Sequence, residues 1–154
     1  MNGEYVVINI LLNDDAVSDI VGNRIYLDEA PQNTQYPLII IEQEDSETFP
    51  TKSGRAYHDR DFIRVFPYAD NLRELKDMAN AIRDALDFAQ AGLYRGIRMD
   101  SLRFQSQNSF SERIANRKTY AKDQLYEVWT TREVITADST LITADSTLIT
   151  ADNF

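Results

Sequence analysis

The chain has 154 residues, 25 acids against 16 bases for a formal net charge of −9, and no cysteine. That length suits one domain burying roughly two thirds of its unfolded surface without a disulfide or metal staple, and the missing thiols remove redox chemistry and thiolate ligands, as fits a reducing compartment. With the C-terminal repeat set aside, 22 acids still face 16 bases, a balance that argues against a protein built to grip nucleic-acid phosphates.

Val6 to Leu12 is the longest early apolar run, broken by Asn9. It falls far short of the roughly 20 residues of a membrane span and has no basic leader, so no span or secretory signal is expected and synthesis is assigned to the cytoplasm. Tyr5, Ile8, Leu11 and Leu12 share a face if residues 4 to 12 are helical, although the β-branched Val6, Val7, Ile8 and Ile10 also suit a strand. Helix is expected. Asn13-Asp14-Asp15 then supplies a break and a cap for a turn over Ala16 to Val21, ended by Gly22, with Val17, Ile20 and Val21 beside Leu11 and Leu12. Arg24-Ile25-Tyr26 is a short extended piece, and Pro31 and Pro37 keep the following stretch a loop. Leu38 to Ile41 is apolar without a break and too short for a helix, which suits a strand covered on both faces. One cover is helical; the other calls for a neighbouring subunit. Glu42 to Glu47 adds four acids, and the turn-rich PTKSGRA tip makes 44 to 56 a long exposed hairpin loop. Asp59 to Phe66 alternates, Ile63 and Val65 on one face and Phe62, Arg64 and Phe66 on the other.

Asp70 to Phe88 is the chain's central helix, because Leu72, Leu75, Met78, Ala79, Ile82, Ala85 and Leu86 recur at spacings of three and four. Asn71 and Glu74 are spaced as a capping box, and Gly92 stands where a left-handed residue closes a helix. Ile97 to Phe104 and Gln124 to Thr131 are two further strands. The polar connection between them, 106 to 122, carries Arg113, Arg117, Lys118 and Lys122 and reads as a protruding arm. Fold class is therefore α+β: a mostly antiparallel sheet of four to five strands, one long amphipathic helix and N-terminal helices.

The C-terminus is an internal repeat, ITADSTL twice and then ITADNF, which divides the chain into a domain over 1–133 and an extended tail over 134–154. A seven-residue period invites a coiled coil, but Leu and Ile are adjacent and Asp, Ser and Thr form helices poorly. Ala-Asp-Ser reads as a turn and Thr-Leu-Ile-Thr as a short strand that buries its apolar groups only between partners. Leu141, Ile142, Leu148 and Ile149 are the expected docking residues of a tail that adds to another chain's sheet edge.

Catalytic and metal-binding groups are sparse. His58 is the only histidine, and although Asp59 and Asp61 flank it, nothing supplies a nucleophile or second ligand at readable spacing. There is no GxGxxG, GxxxxGK[ST] or HExxH, and the repeated Asp138, Asp145 and Asp152 lack the glycines of calcium-binding loops. No enzyme activity, cofactor or metal is expected. The surface candidates are the acids Glu42, Glu44, Asp45 and Glu47 and the bases Arg113, Arg117, Lys118 and Lys122, which could meet between subunits or on a partner protein. Contact of the basic arm with DNA phosphates or with water alone stays open on residue types.

At GNRIYLDEAPQNTQYPLIIIEQ (22 to 43) the sequence resembles the tail-completion family of tailed bacteriophages, whose members run from a short helix through Gly-x-Arg-Ile-Tyr and Ala-Pro-Gln into an apolar strand. The order that follows is similar too: DFIRVFPYA, a helix with Ala-Ile-Arg-x-Ala-Leu (81 to 86), GIRMDSLRF, and a closing strand with Tyr126, Val128 and Trp129. The likeness covers about residues 5 to 132 and leaves the repeat outside it. It implies a structural virion protein like the tail terminator of long-tailed phages: a ring, commonly of six copies, at the head–tail neck, between tail-tube and connector proteins, with DNA passing through its lumen and no membrane contact. The alternative is a monomeric or dimeric binding module that recognises a partner protein through its long loops.

Overall fold

The computed structural model describes residues 2–52, 54, 56–114 and 117–133; the repeat, with Leu141, Ile142, Leu148 and Ile149, lies outside the described residues. In chain order the elements are α1 (Gly3–Leu12), α2 (Asp15–Val21), β1 (Ile25–Leu27), β2 (Leu38–Pro50), β3 (Ala56–Ala69), α3 (Leu72–Leu86), β4 (Gly92–Tyr94), β5 (Ile97–Ile114) and β6 (Arg117–Glu133). The strands form one six-stranded sheet in the order β1-β2-β3-β6-β5-β4. This α+β sheet is larger than the four to five strands expected, and it is mixed, because β1 runs parallel to β2 over Ile39–Ile41.

α3 forms where its periodicity places a helix, with Asn71 extended at the N-cap and its side chain accepting from the Glu74 N–H at 2.8 Å. Leu75, Met78, Ala79, Ile82 and Leu86 are buried, each large one stabilising by roughly 1.5–3 kcal/mol, whereas Leu72 stays exposed. Gly92 does not close the helix; it opens β4, and the left-handed residue after α3 is Phe88, at φ 61°. α1 presents Val6, Val7 and Leu11 to the core, and Tyr5 and Leu12, expected on its buried face, point outward. Asp14 caps α2, accepting from the Val17 N–H at 3.1 Å, and Gly22 ends it at φ 61°.

The core lies between the helices and one face of the sheet. Val6, Leu11, Val17, Leu75, Met78 and Ile82 from the helices pack with Ile39, Ile41, Ile63, Val65, Met99, Leu102, Tyr126 and Val128. A bulge between Met99 and Ser101 changes the alternation of β5, which lets Met99 and Leu102 both face inward. Gln124 is the polar member of this layer: fully buried, it donates through Nε2 to the Ala79 carbonyl at 3.1 Å and to Gln107 Oε1 at 2.9 Å, and its Oε1 accepts from the Tyr126 hydroxyl at 3.0 Å. These bonds fasten α3 to the sheet and engage both ends of the Gln124 amide.

Two stretches expected as loops are strand. β2 continues to Pro50 and β3 starts at Ala56, so the expected 44 to 56 loop is mostly hairpin ladder, with Asp45 to Pro50 paired to Phe62 to Tyr57. Over 106–114 and 117–122 the expected arm is the extension of β5 and β6, paired from Ser106–Leu125 out to Ile114–Arg117. Both segments are polar because water meets them on two sides; the ladder that holds each along one edge is made by backbone groups, which leaves no periodic mark on the side chains.

A candidate assembly surface on the open face of the sheet

Alternation along the strands sends every second residue away from the helices. On that second face stand Leu38 and Ile40 of β2, Phe62, Phe66 and Tyr68 of β3, Leu125 and Trp129 of β6 and Phe110 of β5; none but Leu38 is fully buried, and none belongs to the helix-side core. The three helices join the helix-side core, so among the described residues no helix covers this face. Its aromatic rings gather in two groups. Phe110 meets Phe66 and Tyr68 edge-on, at centroid distances of 6.4 and 6.1 Å, and Phe49 lies 5.6 Å from Trp129.

Charge runs between these groups in two ladders. Arg60 pairs with Glu47 and lies 3.8 Å from Glu127, its guanidinium near the rings of Phe49, Phe62 and Trp129 at 5.8, 5.2 and 5.7 Å. Arg64 pairs with Glu44 and holds Asp123 at 2.8 and 2.9 Å. The Asp123 hydrogen bonds, with Glu44 beside them, raise the Arg64 pKa above its ordinary value. A bulge between Gln43 and Asp45 makes the ladders possible: after it, Asp45 and Glu47 stand opposite Phe62 and Arg60 on the open face, where strict alternation would turn them inward.

Glu42 and Asp45 are exposed on β2, Asp45 accepting from the next N–H, while Glu44 and Glu47 are engaged by Arg64 and Arg60 of their own chain. Arg113 and Lys118 face each other near the tip of the β5–β6 hairpin. Arg117 pairs with Asp70, which raises its pKa, and stacks 5.0 Å from the Tyr36 ring. Lys118 lies 5.3 Å from the Tyr120 ring, and Lys122 donates to Ser109 Oγ at 3.0 Å. Among the described residues no ion pair joins the acids to the basic arm: Arg113, Arg117 and Lys118 lie beyond the Ala69 end of β3, whereas Asp45 and Glu47 stand opposite Phe62 and Arg60.

His58 is half-exposed on the open face, 3.1 Å from Thr131 Oγ1 and 3.8 Å from Asp100, whereas Asp59 and Asp61 are buried on the helix side, where Asp61 accepts from the Gly3 N–H at 2.7 Å. Neighbours in sequence thus belong to opposite faces and form no joint site. Among the described residues no three His, Cys, Asp or Glu side chains gather as a metal site, and no helix is long and apolar enough to cross a membrane. A cleft of about 690 Å³ lies at the β1 end of the open face, floored by Leu38, Ile40 and Tyr68 and bounded by the 30–36 loop, Glu112 and Arg117. Burial there, with Glu112 and Glu42 nearby, pushes the Tyr68 hydroxyl up to about 12. Residue types gave no sign of the cleft, the two arginine ladders or the exposed Phe88, since each depends on pairing across strands.

Residues 6–131 match the family model described as Tail completion protein gp17. No curated protein matches the sequence. Among solved structures, a chain of one described as "Virion of native gene transfer agent (GTA) particle" has the same fold, with a TM-score of 0.67 and 20% identity over 84% of this chain and 94% of that one.

Proposed function

This chain belongs to the tail completion protein gp17 family of structural virion proteins, and from that premise we propose that it forms a homo-oligomeric ring at the head–tail junction. The ring, six copies by family resemblance, terminates the tail tube and joins it to the head connector in the phage neck. Its role is non-enzymatic, its partners are copies of itself and the adjoining neck and tube proteins, and DNA passes its lumen without sequence-specific contact. One observation carries this reading. Among the described residues the six-stranded sheet has helices on one face only, and its other face bears two aromatic groups with ion pairs between them, a composition suited to burial against protein.

Light scattering on the full chain, followed by negative-stain imaging, tests it. Annular particles of uniform mass are expected, and Phe110→Asp, which puts a charge among Phe66 and Tyr68, is expected to reduce them while the chain stays folded by circular dichroism. A monodisperse monomer at all concentrations would overturn the ring. The cleft floored by Leu38, Ile40 and Tyr68 favours a second reading, a binding module that takes a partner protein, and a monomeric chain would make that the better account.

A further inference from the structure

The two lateral edges of the sheet differ in charge. On one side, β1 pairs only with Ile39–Ile41, so from Glu42 to Pro50 the outer edge of β2 carries no strand among the described residues. That edge exposes Glu42, Glu44, Asp45 and Glu47, and Arg60 and Arg64 engage only Glu47 and Glu44 of these. On the other side, the β4–β5 hairpin turns through Arg95 and Gly96 at φ 52° and 81°, the pattern of a type I′ turn, which presents Arg95 at its tip. Arg98 follows, exposed, and Arg103 lies along the same strand with its guanidinium 4.1 Å from the Phe88 ring.

This basic edge also carries the two most exposed large apolar side chains among the described residues, Phe88 at 70% and Leu93 at 66%. Phe88 is held there against its own preference: an aromatic residue at φ 61° is costly, and the Phe88 N–H donates to the Leu102 carbonyl at 3.0 Å. Apolar side chains ringed by arginines have the make-up of an interface centre and its rim.

Register places the two edges at one height. Arg103 lies opposite Glu127, Glu127 opposite Phe62, and Phe62 opposite Asp45. Arg98, Thr131, His58 and Phe49 form a second such row, and Phe49 is itself exposed at 40%. Rotating one copy beside another about an axis along the strands therefore brings Arg103 level with Asp45, with Phe88 beside that row, and Leu93, which pairs with Arg98, level with Phe49.

Resting on the ring reading, we infer that copies join head to tail, the basic β4 edge of one docking on the acidic β2 edge of the next. The occupant of each edge is a second copy of this chain. Two different patches make the contact heterologous, the arrangement that closes into rings, and its charges make it salt-dependent.

Reversing charge at each edge tests this. Arg98→Glu with Arg103→Glu changes one edge, Asp45→Lys with Glu47→Lys, which lie at the same heights, the other, and none of the four positions is packed in the core. Each double variant is expected to lose the assembled species in light scattering at a concentration where the parent is assembled, with an unchanged circular dichroism spectrum. A chain carrying all four changes is expected to assemble again, because its edges are complementary with signs exchanged. Sodium chloride should dissociate the parent progressively and give an independent reading on the unaltered protein. Double variants that assemble like the parent, or a fourfold variant that stays dissociated, would overturn the edge assignment and leave the ring standing. A parent that never assembles would overturn the ring itself, and the edge contact with it.

Discussion

Gln124→Leu tests whether the buried amide fastens α3 to the sheet. The change keeps most of the volume but removes donations to the Ala79 carbonyl and Gln107 Oε1, and it deprives the buried Tyr126 hydroxyl of its acceptor. A stranded buried hydroxyl costs about 1–3 kcal/mol and each lost hydrogen bond about 1, so allowing for the gain from a buried Leu the loss should be about 3 kcal/mol. That is a large share of a total of about 5–15 kcal/mol. Tyr126→Phe alone leaves Gln124 Oε1 unpaired and should cost about 1.5 kcal/mol. In the double variant neither partner is stranded, so the two losses should fall short of additivity by about 1.5 kcal/mol. Urea unfolding followed by fluorescence of Trp129, the single tryptophan, reads all four proteins. With a slope of about 2 kcal/mol per molar, Gln124→Leu moves the midpoint down by about 1.5 M. The series is run at one protein concentration, since self-association adds to apparent stability. Losses that simply add would refute the network, showing that the hydroxyl finds its partner elsewhere.

Gly3 starts α1 where a Cβ would stand 2.9 Å from both Cβ and Oδ2 of the fully buried Asp61. Gly3→Ala should therefore lower stability by about 1–2 kcal/mol through overpacking and a weakened N–H to carboxylate bond, and a melting temperature at or above the parent's would contradict the close contact. Stability should also fall above pH 10. Burial raises the pKa of Tyr126 well beyond its ordinary value and that of Tyr68 to about 12, so the folded chain holds these protons while the unfolded chain releases them. The stabilisation is complete below the unfolded value of about 10 and is lost as pH climbs toward the folded values, by at most about 1.4 kcal/mol per pH unit for each group, less for the half-exposed Tyr68. Urea midpoints across pH 9 to 12 should decline less steeply in Tyr126→Phe; an unchanged slope would remove Tyr126 from the account.

What the residues settle by themselves is local. The three-and-four spacing of Leu75, Met78, Ile82 and Leu86 with Asn71 before it specifies α3, and the alternation through Ile63 and Val65 specifies the middle of β3, because one-sided burial writes its period into the chain. The same rule explains the misses. Strand ends such as Thr48 to Pro50 and Ser106 to Glu112 lie beyond the helices, bury neither side against the core and carry no period, so they read as loop although each is laddered to a neighbouring strand along one side. Tertiary structure alone decided the faces and the edges. A single bulge after Gln43 turned Asp45 and Glu47 onto the open face, Glu47 against Arg60, reversing what alternation assigns. Register across β5, β6, β3 and β2 set Arg103 level with Asp45 on opposite sides of the sheet. Which carboxylate meets which arginine depends on hydrogen-bond pairing between strands far apart in the chain, and no window of neighbouring residues contains that information.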